Sequence, residues 1–162
     1  MSGQKYLTIE DKIIDVLDGG KQTDTLDFIT FIRTNGLSLK AYDEYGYGWA
    51  IEYKTQGLGF IKIDAADKEM RLWSGGVFNT DFTDDNEFNC AIWANVVTCP
   101  QATCSTRRQC GEQQEHGGII FGKEYNSTCY SPLGFFNPDA QTINNIKKLL
   151  LFLKERTIQG NR

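Results

Sequence analysis

Four of the five cysteines fall late in the chain, as Cys99-x4-Cys104-x5-Cys110-x18-Cys129. Four thiolates complete the tetrahedral shell that zinc prefers. The residues between the first three are Pro, Gln, Ala, Thr, Ser, Arg and Gln. These build turns, whereas thiols that merely fill a core sit among apolar neighbours. The pattern therefore predicts one structural zinc ion in a Cys-rich segment, residues 98–130, with Cys99, Cys104, Cys110 and Cys129 as metal ligands. Neither short gap has the two-residue spacing that aims two sulfurs at one ion. Wider gaps still close around a metal, because loop-closure entropy grows slowly with length. Arg107 and Arg108 can offset the charge of a four-thiolate centre, and Lys123 is placed to do the same. His116, the only histidine, lies in the same stretch. It offers a Cys3His alternative, while its plainer reading is an exposed loop residue. Cys90 reads as a small packed residue within a helix.

The same residues admit other chemistry. Free, unmetallated thiols are one reading. A thiolate enzyme or redox protein is another, with Cys110 or Cys129 as nucleophile and His116 as base, and it requires a thiol of lowered pKa. A zinc knuckle for nucleic acid is opposed by the net charge of -4 and by the lack of a Lys/Arg-rich strip. Tyr42, Tyr45, Tyr47, Trp49, Tyr53 and Trp73 cluster in the middle of the chain. They either line a surface for a small apolar ligand or protein partner, or fill the core. There is no phosphate-binding P-loop, no G-x-G-x-x-G and no H-E-x-x-H. A single histidine restricts any Ser-His-Asp triad, and no G-x-S-x-G elbow accompanies it. The expectation is a small binding module with a structural zinc site, with the thiolate enzyme as the alternative.

The elements that must position these residues can be read from periodicity. A chain of 162 residues suits one domain, 1–162, which buries roughly 70% of its unfolded surface on folding. Ile9–Leu17 reads as a helix capped by Thr8 and ended by Gly19-Gly20, and Thr25–Thr34 as a second, stopped at Gly36. Gly48–Tyr53, Leu58–Ile63 and Glu69–Trp73 are short, rich in aromatic and β-branched residues, and read as an antiparallel meander with one buried face. A third helix is expected to start near Asp84 or Asp85, where Asp84-x-x-Glu87 resembles a capping box, and to carry Phe88, Ile92 and Val96. Gly118–Gly122 reads as a short strand and Tyr130–Phe136 as an extended piece. Asn137-Pro138-Asp139 opens a last helix, with Asn as cap, bearing the stripe Ile143, Ile146, Leu150 and Leu153. The fold class expected is α+β, an antiparallel β-meander packed against N-terminal, middle and C-terminal helices, with a Cys-rich loop. The first residues carry no apolar signal region, and the longest aliphatic run, Leu149–Leu153, is far short of the about 20 residues a bilayer requires. A cytoplasmic location is expected, where thiols stay reduced.

The segments Ile119-Ile-Phe-Gly-Lys-Glu-Tyr125, Cys129 and Phe135-Phe-Asn-Pro-Asp139 follow Asp27-Phe-Ile-Thr-Phe31 and Trp49 along the chain. In this order they resemble a group of small bacterial proteins of uncharacterised function, across residues 25 to 155. The resemblance implies a shared fold with a Cys-rich loop and carries no activity with it.

Overall fold

The computed structural model describes residues 8–42, 48–98 and 116–160. Helix α1, Ile9–Val16, starts at a capping box: the Asp11 N–H donates to the Thr8 hydroxyl, and the Thr8 N–H to the Asp11 carboxylate, each at 3.1 Å. Ile9, Ile13 and Val16 recur on its buried face. Its end differs from expectation. Leu17 turns extended and closes the helix, while Gly19, at φ 53°, opens helix α2, Gly19–Thr34. The two glycines begin the second helix instead of stopping the first. Helix α2 buries Phe28, Ile29 and Ile32 and ends as expected at Gly36. There a φ of 71° lets the Gly36 and Leu37 N–H groups reach the carbonyls of Arg33 and Ile32.

Strands β1 (Ser38–Tyr42), β2 (Gly48–Tyr53), β3 (Gln56–Asp64), β4 (Glu69–Ser74) and β7 (Leu133–Phe136) form one antiparallel sheet in the order β1-β2-β3-β4-β7. The expected meander is present, with Gly57 and Gly59 inside β3. Strand β1 was not expected; it is an edge strand whose single core-facing aliphatic, Leu39, is only partly buried. Trp49, Ile51, Ile61, Ile63, Met70, Leu72, Leu133 and Phe135 point to one side and join the apolar faces of α1, α2 and helix α4, Ala140–Gly160, in one core. Ile143, Ile146, Leu150 and Leu153 are buried as their spacing predicts, together with Leu149. Each such side chain withdrawn from water contributes about 1.5–3 kcal/mol. The cap of α4 is Asp139, not Asn137. Asn137 is taken up by a left-handed turn at φ 48° with its N–H on the Met70 carbonyl, so Asp139 reaches the Thr142 N–H at 2.8 Å. None of the described helices is long and apolar enough to cross a membrane.

Helix α3, Asn86–Trp93, is capped by Asp85, the second of the two expected starts, whose carboxylate accepts from the Phe88 N–H at 2.9 Å and pairs with Lys148 at 2.7 Å. It ends before Val96, which instead bridges Leu133 at the free side of β7. The expected single strand at Gly118–Gly122 is the centre of a hairpin. Strand β5 (His116–Ile120) turns at Phe121-Gly122 into β6 (Lys123–Thr128). Both turn residues have positive φ, 46° and 76°, a geometry that matches strand twist but strains a phenylalanine. Packing and hydrogen bonds hold it there. Phe121 is fully buried, edge-on to Phe88 at 5.3 Å and tilted to Phe152 at 5.0 Å. Its N–H donates to the Thr80 hydroxyl at 2.6 Å, the hydroxyl donates to the Val77 carbonyl at 2.7 Å, and the Gly122 N–H reaches the Thr80 carbonyl at 2.8 Å.

Thr80→Val preserves the shape at this buried site and removes both hydroxyl bonds. Leaving two buried backbone groups unpaired should lower the unfolding free energy by about 2–4 kcal/mol in urea denaturation. A change below about 0.5 kcal/mol would mean the hydroxyl does not hold the turn.

Candidate functional site

Of the four expected metal ligands, Cys99, Cys104 and Cys110 lie outside the described residues, as do Arg107 and Arg108. Cys129 follows β6 directly and is half-buried. Its N–H donates to the Val97 carbonyl at 2.9 Å, and the Val97 N–H donates to the Pro132 carbonyl at 2.7 Å. The Gly134 N–H completes this lattice on the Asn95 carbonyl at 3.0 Å. Residues 95–97 thus run beside β7. On the other side of Cys129, His116 stands opposite Thr128 in the β5–β6 register. Val97, one residue before the last described position ahead of Cys99, and His116, the first described position after Cys110, are therefore both neighbours of the Thr128-Cys129 backbone. Among the described residues, no three His, Cys, Asp or Glu side chains gather as a metal site. Cys90 is exposed on α3, not packed as expected. Lys123 places its ammonium 5.5 Å from the ring centres of both Trp93 and Tyr125. Burial pushes the Tyr125 phenol up, and its hydroxyl finds no hydrogen-bond partner among the described residues.

The aromatic cluster divides between the two faces of the sheet. Trp49 is buried in the core with the Lys12 ammonium 5.9 Å from its ring, and Tyr53 packs partly against the same core. Tyr45 and Tyr47 lie outside the described residues. Tyr42 and Trp73 point the other way. With Phe60 and Phe136 they form a row across the solvent side of the sheet, the successive ring centres 6.0, 6.1 and 5.8 Å apart and crossed by 77°, 41° and 85°. Edge-to-face contacts of this kind are favourable beyond the area they bury. Two glycines make room for the rings. A Cβ at Gly48 would lie 2.4 Å from Phe60 Cζ, and one at Gly134 3.0 Å from Phe136 Cε2 and 2.7 Å from Val97 Cγ2. The row ends on Phe136, 54% exposed. Phe60 and Phe136 were not among the expected site residues. Their signal is phase: Phe60 stands one position from the buried Ile61, and Trp73 one from the buried Leu72.

Charged groups beside the row are paired with one another. Arg71 binds Glu69 at 2.6 Å, Asp64 at 3.5 Å and Asp67, and Lys62 lies 3.9 Å from Asp64. Partial burial pushes the Asp64 carboxyl up, but the Ala66 and Asp67 N–H groups, Arg71 and Lys62 outweigh it and hold the pKa below its usual value. A carboxyl depressed on folding adds stability that is complete above its unfolded pKa, about 3.9, and is lost as the pH falls through the folded value. Asp64→Asn keeps an oxygen for the Ala66 N–H and removes the charge. At neutral pH it should cost about 0.5–1 kcal/mol. The gap from the parent should close on acidification below about pH 4 in pH-resolved denaturation, and a gap that persists there would assign the effect to hydrogen bonding instead of charge.

Comparison with known proteins gives no match of this chain to a family, to a curated protein or to a solved structure.

Proposed function

We propose that the chain is a non-enzymatic binding module of the bacterial type it resembles. The row Tyr42–Phe60–Trp73–Phe136 receives a small apolar ligand or the apolar side chain of a protein partner, and Cys99, Cys104, Cys110 and Cys129 hold one structural zinc ion. The observation that carries the binding role is the row itself. Rings of this size normally leave water, yet these stand on the side of the sheet opposite the described helices, ending on a phenylalanine that is mostly solvent-facing. The neighbouring cations Arg71 and Lys62 are already engaged by carboxylates, so the row favours apolar contact over an anionic ligand. The zinc role is supported by the donor set and by the backbone around Cys129, where the flanks of the cysteine-rich stretch meet. A bound zinc would supply local folding energy, on the order of 10 kcal/mol in small sites, and no reaction chemistry is assigned to it.

Two measurements test the parts separately. Elemental analysis of purified protein should find about one zinc per chain, falling towards zero in Cys129→Ser. Chelation should raise hydrogen exchange in β6 and β7 more than in β2 and β3, and metal-free protein with unchanged exchange after chelation would remove the zinc from the proposal. For the aromatic row, an apolar fluorescent dye should bind saturably, and Phe136→Ala should weaken it by about tenfold. Equal dye binding by parent and variant would place apolar recognition elsewhere.

A further inference from the structure

We infer that a second site, at the end of the molecule where the β2–β3 hairpin meets the last turns of α4, binds a small organic oxyanion, a carboxylate or a phosphate monoester. A cavity of about 330 Å³ opens there, lined in part by Gln56, Gly57, Gly75, Gly76, Arg156 and Thr157. That volume matches a small metabolite-sized ligand. Of the three arginines among the described residues, Arg33 is paired with Glu10 and Arg71 with three carboxylates, while Arg156 has no carboxylate partner. Its Nη1 donates to the Gly76 and Phe78 carbonyls at 3.1 and 3.2 Å. These two bonds anchor the guanidinium. Its Nη2 and Nε make no hydrogen bond among the described residues, which leaves the fork that suits a carboxylate or phosphate.

Two further observations point the same way. A Cβ built at Gly57 or Gly75 would meet nothing within 4 Å, so open space stands over the backbone on both sides of the cavity. The hairpin end also concentrates cations. The Lys54 and Lys154 ammonium groups lie 5.6 and 5.1 Å from the ring centre of Tyr53, the register partner of Gln56, just outside the cavity lining, and the Lys154 ammonium also donates to the Asn35 carbonyl at 2.7 Å. Neither lysine has a carboxylate partner among the described residues. Glu52, opposite Gly57, and Glu155, beside Arg156 in sequence, form no ion pair with any of the three cations. In a chain of net charge -4 this is a local positive surplus. The carbonyl end of α4 opposes an anion, which confines it to the Arg156 side of the cavity. None of these lining residues belongs to the aromatic row, so the inference stands or falls apart from the binding role proposed above.

The test is an amide NMR titration of the full chain with inorganic phosphate and, separately, glutarate, against chloride at matched ionic strength. Saturable shifts at Gly57, Gly75, Gly76 and the Arg156 Nε–H are expected on the order of millimolar with one or both oxyanions and not with chloride. The stronger of the two identifies the ligand class. Arg156→Gln should weaken binding by about tenfold or more. Because that change also releases two backbone carbonyls, Gly75→Glu provides an independent variant. Its Cβ meets no atom, and its carboxylate should repel the anion while the fold is kept. Absence of saturable shifts with both oxyanions, or equal affinity in Gly75→Glu, would overturn the assignment.

Discussion

Two periodicities have to meet along one line for this molecule to exist. Strand β3 buries every second residue, Ile61 and Ile63, and its neighbours match it with Trp49 on β2 and Leu72 and Met70 on β4. Helix α4 buries a stripe at its own 3.6-residue period, from Ile143 to Leu153. The sheet can face that stripe in only one register. A one-residue slip of β3 would turn Ile61 and Ile63 to solvent and bring Phe60 and Lys62 into the core. Lys62 could not be accommodated there without a partner for its charge. The same constraint that builds the core therefore determines what is left outside it. Phe60 and Trp73 are on the solvent face because Ile61 and Leu72 are not.

The second half of the chain is attached to this frame by a small number of directional contacts. The Phe121-Gly122 turn demands two positive φ angles, and phenylalanine tolerates that poorly. The Thr80 hydroxyl and carbonyl meet the two turn amides, and the Phe121 ring is locked between Phe88 and Phe152. The strain is offset by a buried aromatic anchor at the tip of the hairpin, which joins α3 to α4. From that tip β6 runs to Cys129, and Cys129 is bonded back to Val97 beside β7. The hairpin thus sets where Val97, His116 and Cys129 lie relative to one another. Closing a loop whose flanks already stand side by side costs less entropy than closing one between distant points.

Legibility in the sequence followed how strongly burial constrains each segment. The stripe of α4, the cap at Thr8 and the alternation of β2 and β4 are readable because each has a local pattern with one physical cause. Strand β1 is not, since as an edge strand it commits only Leu39 to the core and keeps Ser38 and Lys40 in water. The Gly19-Gly20 pair misled because glycine supports a left-handed residue at either end of a helix. The order Asn137-Pro138-Asp139 points to Asn137 as the cap, while the turn out of β7 takes up Asn137 and leaves the capping to Asp139. The hairpin at Phe121-Gly122 could not be read locally, because what holds Phe121 at positive φ is Thr80, 41 residues away. For the site, the cysteine spacing and the aromatic cluster were visible. The division of the cluster between two faces, and the place of Phe60 beside Trp73, follow from strand phase, while the place of Phe136 emerges only once β4 and β7 are known to pair.

Charge placement separates the two surfaces that remain open. Around Arg71 three carboxylates converge, and an exposed network of this kind adds little to stability. Its clearer consequence is electrostatic: the potential beside the aromatic row is damped, so a ligand received there, as proposed, would be selected by ring contact and shape. At the hairpin end the arrangement is reversed. Arg156 is held by neutral carbonyls, and Lys54 and Lys154 lie over the Tyr53 ring, so the positive charges are positioned without being neutralised. Backbone carbonyls could have been satisfied by a neutral donor at far smaller desolvation cost than a guanidinium. Fixing the carbonyls therefore does not by itself account for an arginine at position 156. An unpaired guanidinium beside an open cavity is accounted for when its remaining donors face an anion, so that on the two proposed assignments charge would discriminate at one end of the molecule and apolar contact on its outer face.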